Sequence, residues 1–321
     1  MGKAAPPPAA AAPLDPMEHL PVIVAVVLGA IFIIGLMFRG GSKKKFLTKQ
    51  RQQLVLGERK ELSHDTLRLR FKLPSSAPIL GLPVGKHLKI FCPNPKGKVD
   101  GQWNGREDND VGETEIERKY TPTTSDDTVG HVDLVIKVYK GGVIDRFPDG
   151  GKMSQYMGSL KVGDKIDCQG PFGTHEYLGG GVFKSGKTEH KCTQLGMMSG
   201  GTGITPMLQV AAAILKDPND PTTISLLYAN QTEDDILVRD MLEDFAAKYP
   251  KRFKVWYTVD RAPKGWKYSE GFITETMIKE HLPPPGAGTL VLMCGPPPMV
   301  KFACQANLDK LGYSKESQIA Y

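Results

Sequence analysis

A glycine-rich turn, Gly200-Gly201-Thr202-Gly203-Ile204-Thr205-Pro206, separates a short apolar run at 195–198 from a segment at 207–215 whose apolar residues recur at helical spacing. The run predicts a buried strand and the segment predicts a helix. Backbone N–H groups and the positive end of the helix dipole point out of such a turn, and glycine lets an anion approach them closely. The turn therefore favours a phosphate site. It matches neither G-x-G-x-x-G nor the P-loop, so a plain structural turn is an equal alternative.

The same alternation of strand and helix continues on both sides of this turn. It predicts a Rossmann-like α/β domain over 194–321, with a parallel sheet covered on both faces. The predicted elements are strands at 195–198, 224–229, 253–259 and 289–294, and helices at 205–215, 234–248, 274–281 and 298–311.

Two further features follow strands of this sheet, at the carboxyl ends where open α/β sheets bind ligands. Cys294-Gly295-Pro296-Pro297-Pro298-Met299 ends one strand and begins a helix. Cys294 is either a nucleophile or a small, polarisable wall beside a flat ligand, and the lack of a nearby His favours the wall. Asp260 ends the strand 253–259, where a carboxylate accepts a ribose 2′-hydroxyl and repels a 2′-phosphate. This favours a ligand with a free 2′-hydroxyl over one with a 2′-phosphate, although the neighbouring Arg261 and a turn-capping role are alternatives.

Residues 53–178 alternate with period two, as in the run 66–73, where four apolar side chains share one face and three cations the other. Short alternating strands without long helices predict an antiparallel β-barrel. Residues 97–117, the acidic loop, interrupt this pattern with seven acidic and two basic side chains and predict an exposed surface loop. The Gly- and Lys-rich segment 179–193 predicts an interdomain linker.

Two motifs in this barrel half carry candidate ligand-binding groups, Arg118-Lys119-Tyr120-Thr121-Pro122 and Gly150-Gly151-Lys152-Met153-Ser154. An arginine offers a planar fork to a pyrophosphate, and a serine with free N–H groups offers neutral donors. Tyr120 shares a strand face with Arg118 and can lie against a planar ring. The alternative is a strand with an exposed arginine and a half-buried tyrosine, followed by a serine N-cap.

The N-terminus has the pattern of a membrane anchor. Residues 1–18 are Pro- and Ala-rich and predict a disordered tail, whereas 19–39 contains an uncharged run of 19 residues from Leu20 to Phe38. As a helix this run would be about 28 Å long, enough to span a bilayer. The basic linker 40–52 follows, and its lysines predict a cytosolic location for the rest of the chain. A cleaved signal peptide is less consistent with the run's length and with its basic C-terminal flank. The myristoylation motif is not met either, because it requires Ser or Thr where this chain has Pro6.

The overall composition excludes several classes of protein. The chain has 321 residues, of which 40% are apolar, enough for two cores. Seven basic and two acidic side chains in residues 1–51 account for five of the six net positive charges, so the charge of the remaining chain does not indicate nucleic-acid binding. The five cysteines have neither metal-ligand nor iron–sulfur spacing, which predicts reduced thiols and no metal site.

These motifs occur in the order found in the ferredoxin–NADP reductase superfamily, which the chain resembles from about residue 53 to residue 321. Longer runs, at 133–139, 228–233 and 256–263, are similar to the membrane-bound NADH–cytochrome b5 reductases. The chain departs from that pattern in the length of its acidic loop, in Lys119 where Pro is common, and in its terminal Tyr321.

The resemblance implies an enzyme that transfers a hydride from NADH to FAD and then single electrons to cytochrome b5. It implies that Arg118 and Ser154, with the backbone of Gly151, Lys152 and Met153, hold the FAD pyrophosphate. Tyr120, Thr121 and Pro122 would flank the flavin ring, Ile136, Lys137 and Tyr139 would line its edge, and Thr205 would lie near the adenine end. Gly201, Thr202, Gly203, Asp260, Cys294, Gly295, Pro296 and Pro297 would frame NADH. Thr121 and Cys294 are the residues expected at the reacting rings.

The resemblance also implies an acidic haem partner. Lys152 and Lys137 are candidates for docking cytochrome b5, and Lys152 could instead serve the FAD phosphates. No haem-ligand run is present, so the cytochrome is expected to be a separate chain. A reductase for a quinone or another haem protein, and a nucleotide-binding scaffold without turnover, remain alternatives. The anchor is equally compatible with the endoplasmic reticulum and the outer mitochondrial membrane.

Overall fold

The computed structural model describes residues 44–143, 145 and 147–321. The predicted tail 1–18, the predicted anchor 19–39 and the first residues of the basic linker lie outside the described residues. Within the described residues, no helix combines the length and the apolar character needed to cross a membrane.

The N-terminal half is built on one antiparallel sheet. Its strands run in the order β6-β3-β8-β1-β2-β7, and β4 and β5 pair as a small hairpin inside the acidic loop. The elements are β1 Gln52–Glu61, β2 Thr66–Lys72, β3 His87–Pro93, β4 Gln102–Trp103, β5 Arg106–Glu107, β6 Glu115–Tyr120, β7 His131–Lys137, α1 Lys152–Ser159 and β8 Lys165–Phe172. The Thr123 N–H donates to the Asp133 carbonyl at 3.0 Å, which joins the chain after β6 to β7 and brings the outer strands together.

The period of two in β2 places its side chains as predicted. Leu67, Leu69 and Phe71 are buried in the core of this half, while Arg68 and Arg70 point to the other face. Arg70 makes a bidentate contact with Asp133 on the neighbouring β7, with both distances 2.8 Å. The inward face therefore supplies the hydrophobic core and the outward face is stabilised by cross-strand ion pairs.

The segment 179–193, predicted as an interdomain linker, contains folded strands. β9 His175–Gly179, β10 Val182–Ser185 and β11 Thr188–Lys191 form a three-stranded antiparallel sheet. Tyr177 and Phe183 pack against each other at 4.7 Å between ring centroids and join the core of the C-terminal half. The glycines on which the linker prediction rested lie in the hairpin turns between these strands.

The C-terminal half is the predicted α/β domain. Its six-stranded sheet has the order β15-β14-β13-β12-β16-β17, and every pair is parallel. The elements are β12 Gln194–Gly200, α2 Ile204–Lys216, β13 Thr223–Asn230, α3 Arg239–Lys248, β14 Phe253–Val259, β15 Ser269–Glu270, α4 Glu275–His281, β16 Thr289–Cys294, α5 Ala306–Lys310 and β17 Gln318–Ala320.

Two helices differ from the predicted ones. The helix predicted at 234–248 is a 3₁₀ turn, Glu233–Asp235, followed by α3; the turn is closed by a capping box between Thr232 and Asp235. The helix predicted at 298–311 starts as a π-helical segment, Met299–Gln305, and only then becomes α5. π-Helical segments within helices often mark functional sites.

Candidate active site

A cleft of about 1540 Å³ lies between the two halves. It exceeds the ordinary range of single-ligand pockets, roughly 300–1,000 Å³, and so has room for two ligands. Most of the residues predicted for a nucleotide or flavin site line it together: Tyr120, Thr121, Ile136, Lys137, Tyr139, Ser154, Gly201, Thr202, Gly203, Thr205, Asp260, Cys294, Gly295 and Pro296. Tertiary folding thus brings the motifs of both halves to one place.

The glycine turn of the C-terminal half is shaped by close backbone contact. β12 ends at Gly200, the 3₁₀ turn Gly201–Gly203 follows, and α2 begins at Ile204. A Cβ on Gly203 would lie 2.1 Å from the Cys294 carbonyl oxygen, because β12 and β16 are neighbouring parallel strands. Glycine is therefore required at this position for the two ligand-facing turns to pack together.

The environment of Cys294 suits a side chain that packs against a ligand rather than a nucleophile. Its side chain is half-buried and lines the cleft, and burial raises the pKa of its thiol to about 11. A thiol with that pKa is protonated at neutral pH, whereas nucleophilic cysteines depend on the thiolate. The geometry agrees with the predicted small, polarisable surface beside a ligand.

Asp260 lies at the cleft immediately after β14, with its carboxylate exposed. Partial desolvation at the cleft raises the pKa of this carboxyl, Asp235 adds to that shift and Arg261 opposes it. The backbone N–H of Asp260 donates to the Asn230 carbonyl at 3.0 Å, which fixes the turn. The carboxylate is thus placed to meet a polar ligand group at this edge of the sheet.

The barrel half supplies the N-terminus of α1. Gly151 is the N-cap residue and provides no side-chain cap, so the N–H groups of Lys152, Met153 and Ser154 have no partner within the helix. A Cβ on Gly151 would meet the Ser154 hydroxyl at 2.4 Å. This open turn with free donors fits a pyrophosphate, and together with the flat wall at Tyr120 it fits FAD.

Six of the predicted site residues lie outside the cleft lining: Arg118, Pro122, Gly151, Lys152, Met153 and Pro297. Pro122 is buried, and the Met153 side chain packs in the barrel core, which leaves only its backbone for a ligand. Pro297 is exposed.

Arg118 and Lys152 are engaged by the acidic loop, which is not the plain surface loop that its composition predicted. Arg118 forms an ion pair with Asp110 at 2.8 Å. The Lys152 ammonium contacts both oxygens of Asp108 at 2.7 Å, and its side chain is only 4% exposed. The hypothesis that Lys152 docks a protein partner is therefore wrong, because its charge is buried and neutralised.

Lys137 lines the cleft and is held there by two ion pairs. Its ammonium lies 3.0 Å from Asp65 of the barrel half and 2.5 Å from Asp235 of the α/β half. Desolvation lowers the pKa of Lys137, but the two carboxylates more than compensate and the net pKa is raised. Lys137 thus borders the cleft as a bridge between the halves and is not free for partner docking.

Sequence reasoning missed two large aromatic side chains of the cleft. Phe272 and Phe302 line it although they are 77% and 66% exposed. Such exposure of an aromatic ring at a cleft indicates a ligand-stacking surface. No periodicity distinguishes these two rings from core aromatics, so only the tertiary structure could identify them.

Comparisons with known proteins agree with this site. An oxidoreductase FAD-binding domain model matches residues 53–177, and an oxidoreductase NAD-binding domain model matches residues 197–305. NADH-cytochrome b5 reductase 2 of Xenopus laevis is 49% identical over 311 residues, which cover 92% of this chain and 99% of that protein. The chain belongs to the NADH–cytochrome b5 reductase family.

Two further members support this assignment. Human NADH-cytochrome b5 reductase 1 is 52% identical over 274 residues, covering 84% of each chain. The crystal structure of the cytochrome b5 reductase domain of Ulva prolifera nitrate reductase matches with a TM-score of 0.77 and 44% identity, over 86% of this chain and 100% of that one. The two-domain fold of this family is thus an antiparallel FAD domain followed by a parallel-sheet NAD domain.

Proposed function

We propose that this chain is a flavoenzyme that takes a hydride from NADH and delivers single electrons to cytochrome b5. The observation that carries the proposal is the shared cleft, in which Tyr120, Thr121 and Ser154 of the barrel half line the same space as the glycine and Cys294 turns of the α/β half. Bound FAD would supply the conversion between the two-electron chemistry of NADH and the one-electron chemistry of a haem.

On the barrel side, the residues of this chain bind and orient the flavin. The first-turn N–H groups of α1 and the Ser154 hydroxyl hold the pyrophosphate, and Arg118 adds a cation next to them. Tyr120 provides a flat apolar face, and burial raises the pKa of its phenol, which stays neutral. Thr121 offers a hydroxyl to the polar edge of the ring.

On the α/β side, the two ligand-facing turns hold NADH. The backbone of Gly201, Thr202 and Gly203 receives its phosphates at the start of α2, and Cys294 with Gly295 and Pro296 forms a compact wall for the nicotinamide. Asp260 accepts the ribose hydroxyl. No acid or base is needed for hydride transfer, so the contribution of these residues is alignment and exclusion of water.

The experiment is to follow the purified full-length protein in detergent by absorbance. The protein should be yellow, NADH should bleach it without oxygen, and cytochrome b5 should restore the colour as its haem is reduced. A scaffold would carry no flavin that NADH bleaches. A reductase for another acceptor would be bleached but would leave cytochrome b5 oxidised.

We also infer that the run Leu20 to Phe38 anchors the catalytic part on the cytosolic face of the endoplasmic reticulum or of the outer mitochondrial membrane. Its support is the uncharged length of the run and the basic residues that follow it. Phe46 and Leu47 are buried, and their backbone N–H groups donate to the carbonyls of Ile79 and Leu80. A truncated protein should therefore keep these residues and start at Lys44. The protein without residues 1–43 should leave the membrane fraction and keep ferricyanide reduction; a truncated protein that still sediments with membranes after a salt wash contradicts the anchor.

A further inference from the structure

The acidic loop is bound to the turn that leads into α1. The Trp103 indole N–H donates to the Gly150 carbonyl at 2.8 Å. The Asn104 side-chain oxygen accepts the N–H groups of Asp149 at 2.8 Å and Gly150 at 3.0 Å, and its amide nitrogen donates to the Gly150 carbonyl at 2.9 Å.

The contact is reciprocal, because the turn also binds the loop. The Asp149 carboxylate accepts the backbone N–H groups of Lys98 at 3.0 Å and of Asn104 at 2.6 Å. Hydrogen bonds in both directions define a single arrangement of loop and turn, since a shift of either would leave several partly buried polar groups without partners.

Lys152, the first residue of α1, holds the loop from the other side. Its ammonium donates to Asn94 at 2.9 Å, to Asp108 at 2.7 Å and to Asp110 at 3.2 Å, and it lies 5.1 Å from the Trp103 ring centroid. An ammonium has three protons, and these acceptors satisfy all three. Lys152 therefore has no donor left for a phosphate, and its charge holds the loop against the helix.

Asp110 extends the contact to the arginine of β6. It accepts from Arg118 at 2.8 Å while it also contacts Lys152. Burial tends to raise the pKa of Asp110, but the hydrogen bonds from Arg118 and Lys152 bring its pKa below the usual value, so the carboxylate stays charged. The loop thus ties together the two elements that carry the candidate pyrophosphate groups.

We propose that the acidic loop is a clamp that fixes Arg118 and the N-terminus of α1 in the geometry that binds the FAD pyrophosphate, and that it thereby slows release of the flavin. This rests on the proposed function, because it requires FAD at this site. The loop bonds lie on the Gly150 carbonyl, on the N–H groups before α1 and on the Lys152 side chain, so the first-turn N–H groups of the helix remain available. Asp108, Trp103 and Lys152 are positioning residues.

The test measures the rate of FAD release from purified full-length holoprotein in detergent, as recovery of free flavin fluorescence after dilution. Asp108→Asn should release FAD about tenfold faster than the wild type, because it leaves the buried Lys152 charge poorly paired. Trp103→Phe, which retains an aromatic ring but removes the N–H donor, should release FAD about threefold to tenfold faster than the wild type. This second variant keeps the proposal testable if Asp108→Asn does not fold.

Asp100→Asn is the matched control, since it removes the same charge from an exposed position of the same loop. Its release rate should stay within twofold of the wild type. With FAD in saturating excess, all variants should keep the wild-type KM for NADH and the wild-type kcat with ferricyanide, because positioning acts on the binding of the flavin.

Unchanged release of FAD from both Asp108→Asn and Trp103→Phe would overturn the clamp. Slower release from Asp110→Asn would also overturn it, because it would mean that the loop competes with the pyrophosphate.

Trypsin provides a second measurement: bound FAD should protect the bonds after Lys98 and Arg106, and faster cleavage with FAD bound would also refute the clamp. A wild-type protein that contains no FAD would instead contradict the proposed function.

Discussion

At the scale of single residues, Cys294 shows how burial decides chemistry. Its raised pKa, about 11, keeps the thiol protonated across the physiological range. The Cys294 thiol should therefore react with iodoacetamide slowly at pH 7, and the rate should rise about tenfold per pH unit up to pH 10, in proportion to the thiolate. Peptide mapping by mass spectrometry measures this rate, and NADH should reduce it by filling the cleft. A rate that is already maximal at pH 7 would indicate an activated thiolate.

Asp260 is the residue expected to select the coenzyme. Asp260→Thr removes the negative charge, so kcat/KM for NADPH should rise and the preference for NADH should fall by roughly 10- to 100-fold. The reason is that a carboxylate repels a 2′-phosphate by about 1–3 kcal/mol at an open site. The measurement is kcat/KM for both coenzymes in the wild type and the variant. An unchanged ratio would leave Asp260 as a residue that only forms the turn before Arg261.

At the scale of elements, strand β6 and helix α1 carry the groups that we propose to bind the pyrophosphate. Arg118→Ala should weaken FAD binding by about one to two orders of magnitude, since charge-assisted hydrogen bonds contribute about 1.5–3 kcal/mol. Equilibrium titration of the flavin-free protein with FAD measures the change. Arg106→Ala, at an exposed arginine of the acidic loop, is the control and should bind FAD as the wild type does. Stoichiometric FAD in Arg118→Ala after extensive dilution would exclude the proposed contact.

At the scale of the whole molecule, Lys137 connects the two halves through Asp65 and Asp235. Its side chain is 12% exposed, so Lys137→Met would leave two carboxylates poorly solvated and without their cation. We expect the free energy of unfolding to fall by about 2–4 kcal/mol at pH 7. Chemical denaturation measures this loss. Lys216→Met is the control: Lys216 pairs with Asp127 across the same halves, but both side chains are more than half exposed, and its loss should cost less than about 1 kcal/mol.

The sign of the pH dependence follows from the pKa of Asp235. Burial raises this pKa, but the hydrogen bonds from Lys137 and Thr232 lower it below 3.8 overall. The ion pair therefore stabilises the fold above pH 3.8 and stops doing so as the pH falls through the lowered value. The stability difference between the wild type and Lys137→Met should be largest at neutral pH and should shrink below pH 4. A difference independent of pH would show that the ion pair is not its cause.

Sequence patterns determined the character of each half because they depend on near neighbours. Alternation in β2 and the strand–glycine–helix order around Gly200 follow from local dihedral angles and from which side chains share a face. For the same reason the sequence predicts ligand-binding turns at Gly201–Gly203 and Cys294, at the carboxyl ends of their strands. The strands in the segment 179–193 could not be predicted, because glycines occur both in hairpin turns and in linkers, and only the pairing of β9, β10 and β11 distinguishes the two.

The tertiary structure alone decided which charged groups meet. Lys152 contacts Asp108, 44 residues away, and Lys137 contacts Asp235, 98 residues away. Neither pairing leaves a periodic signal, because the energy of an ion pair depends on distance and burial in the folded chain and not on spacing along it. Composition described the acidic loop as solvent-exposed, whereas the fold places a buried lysine beneath it, and the desolvation of that one cation makes pairing with the loop carboxylates necessary.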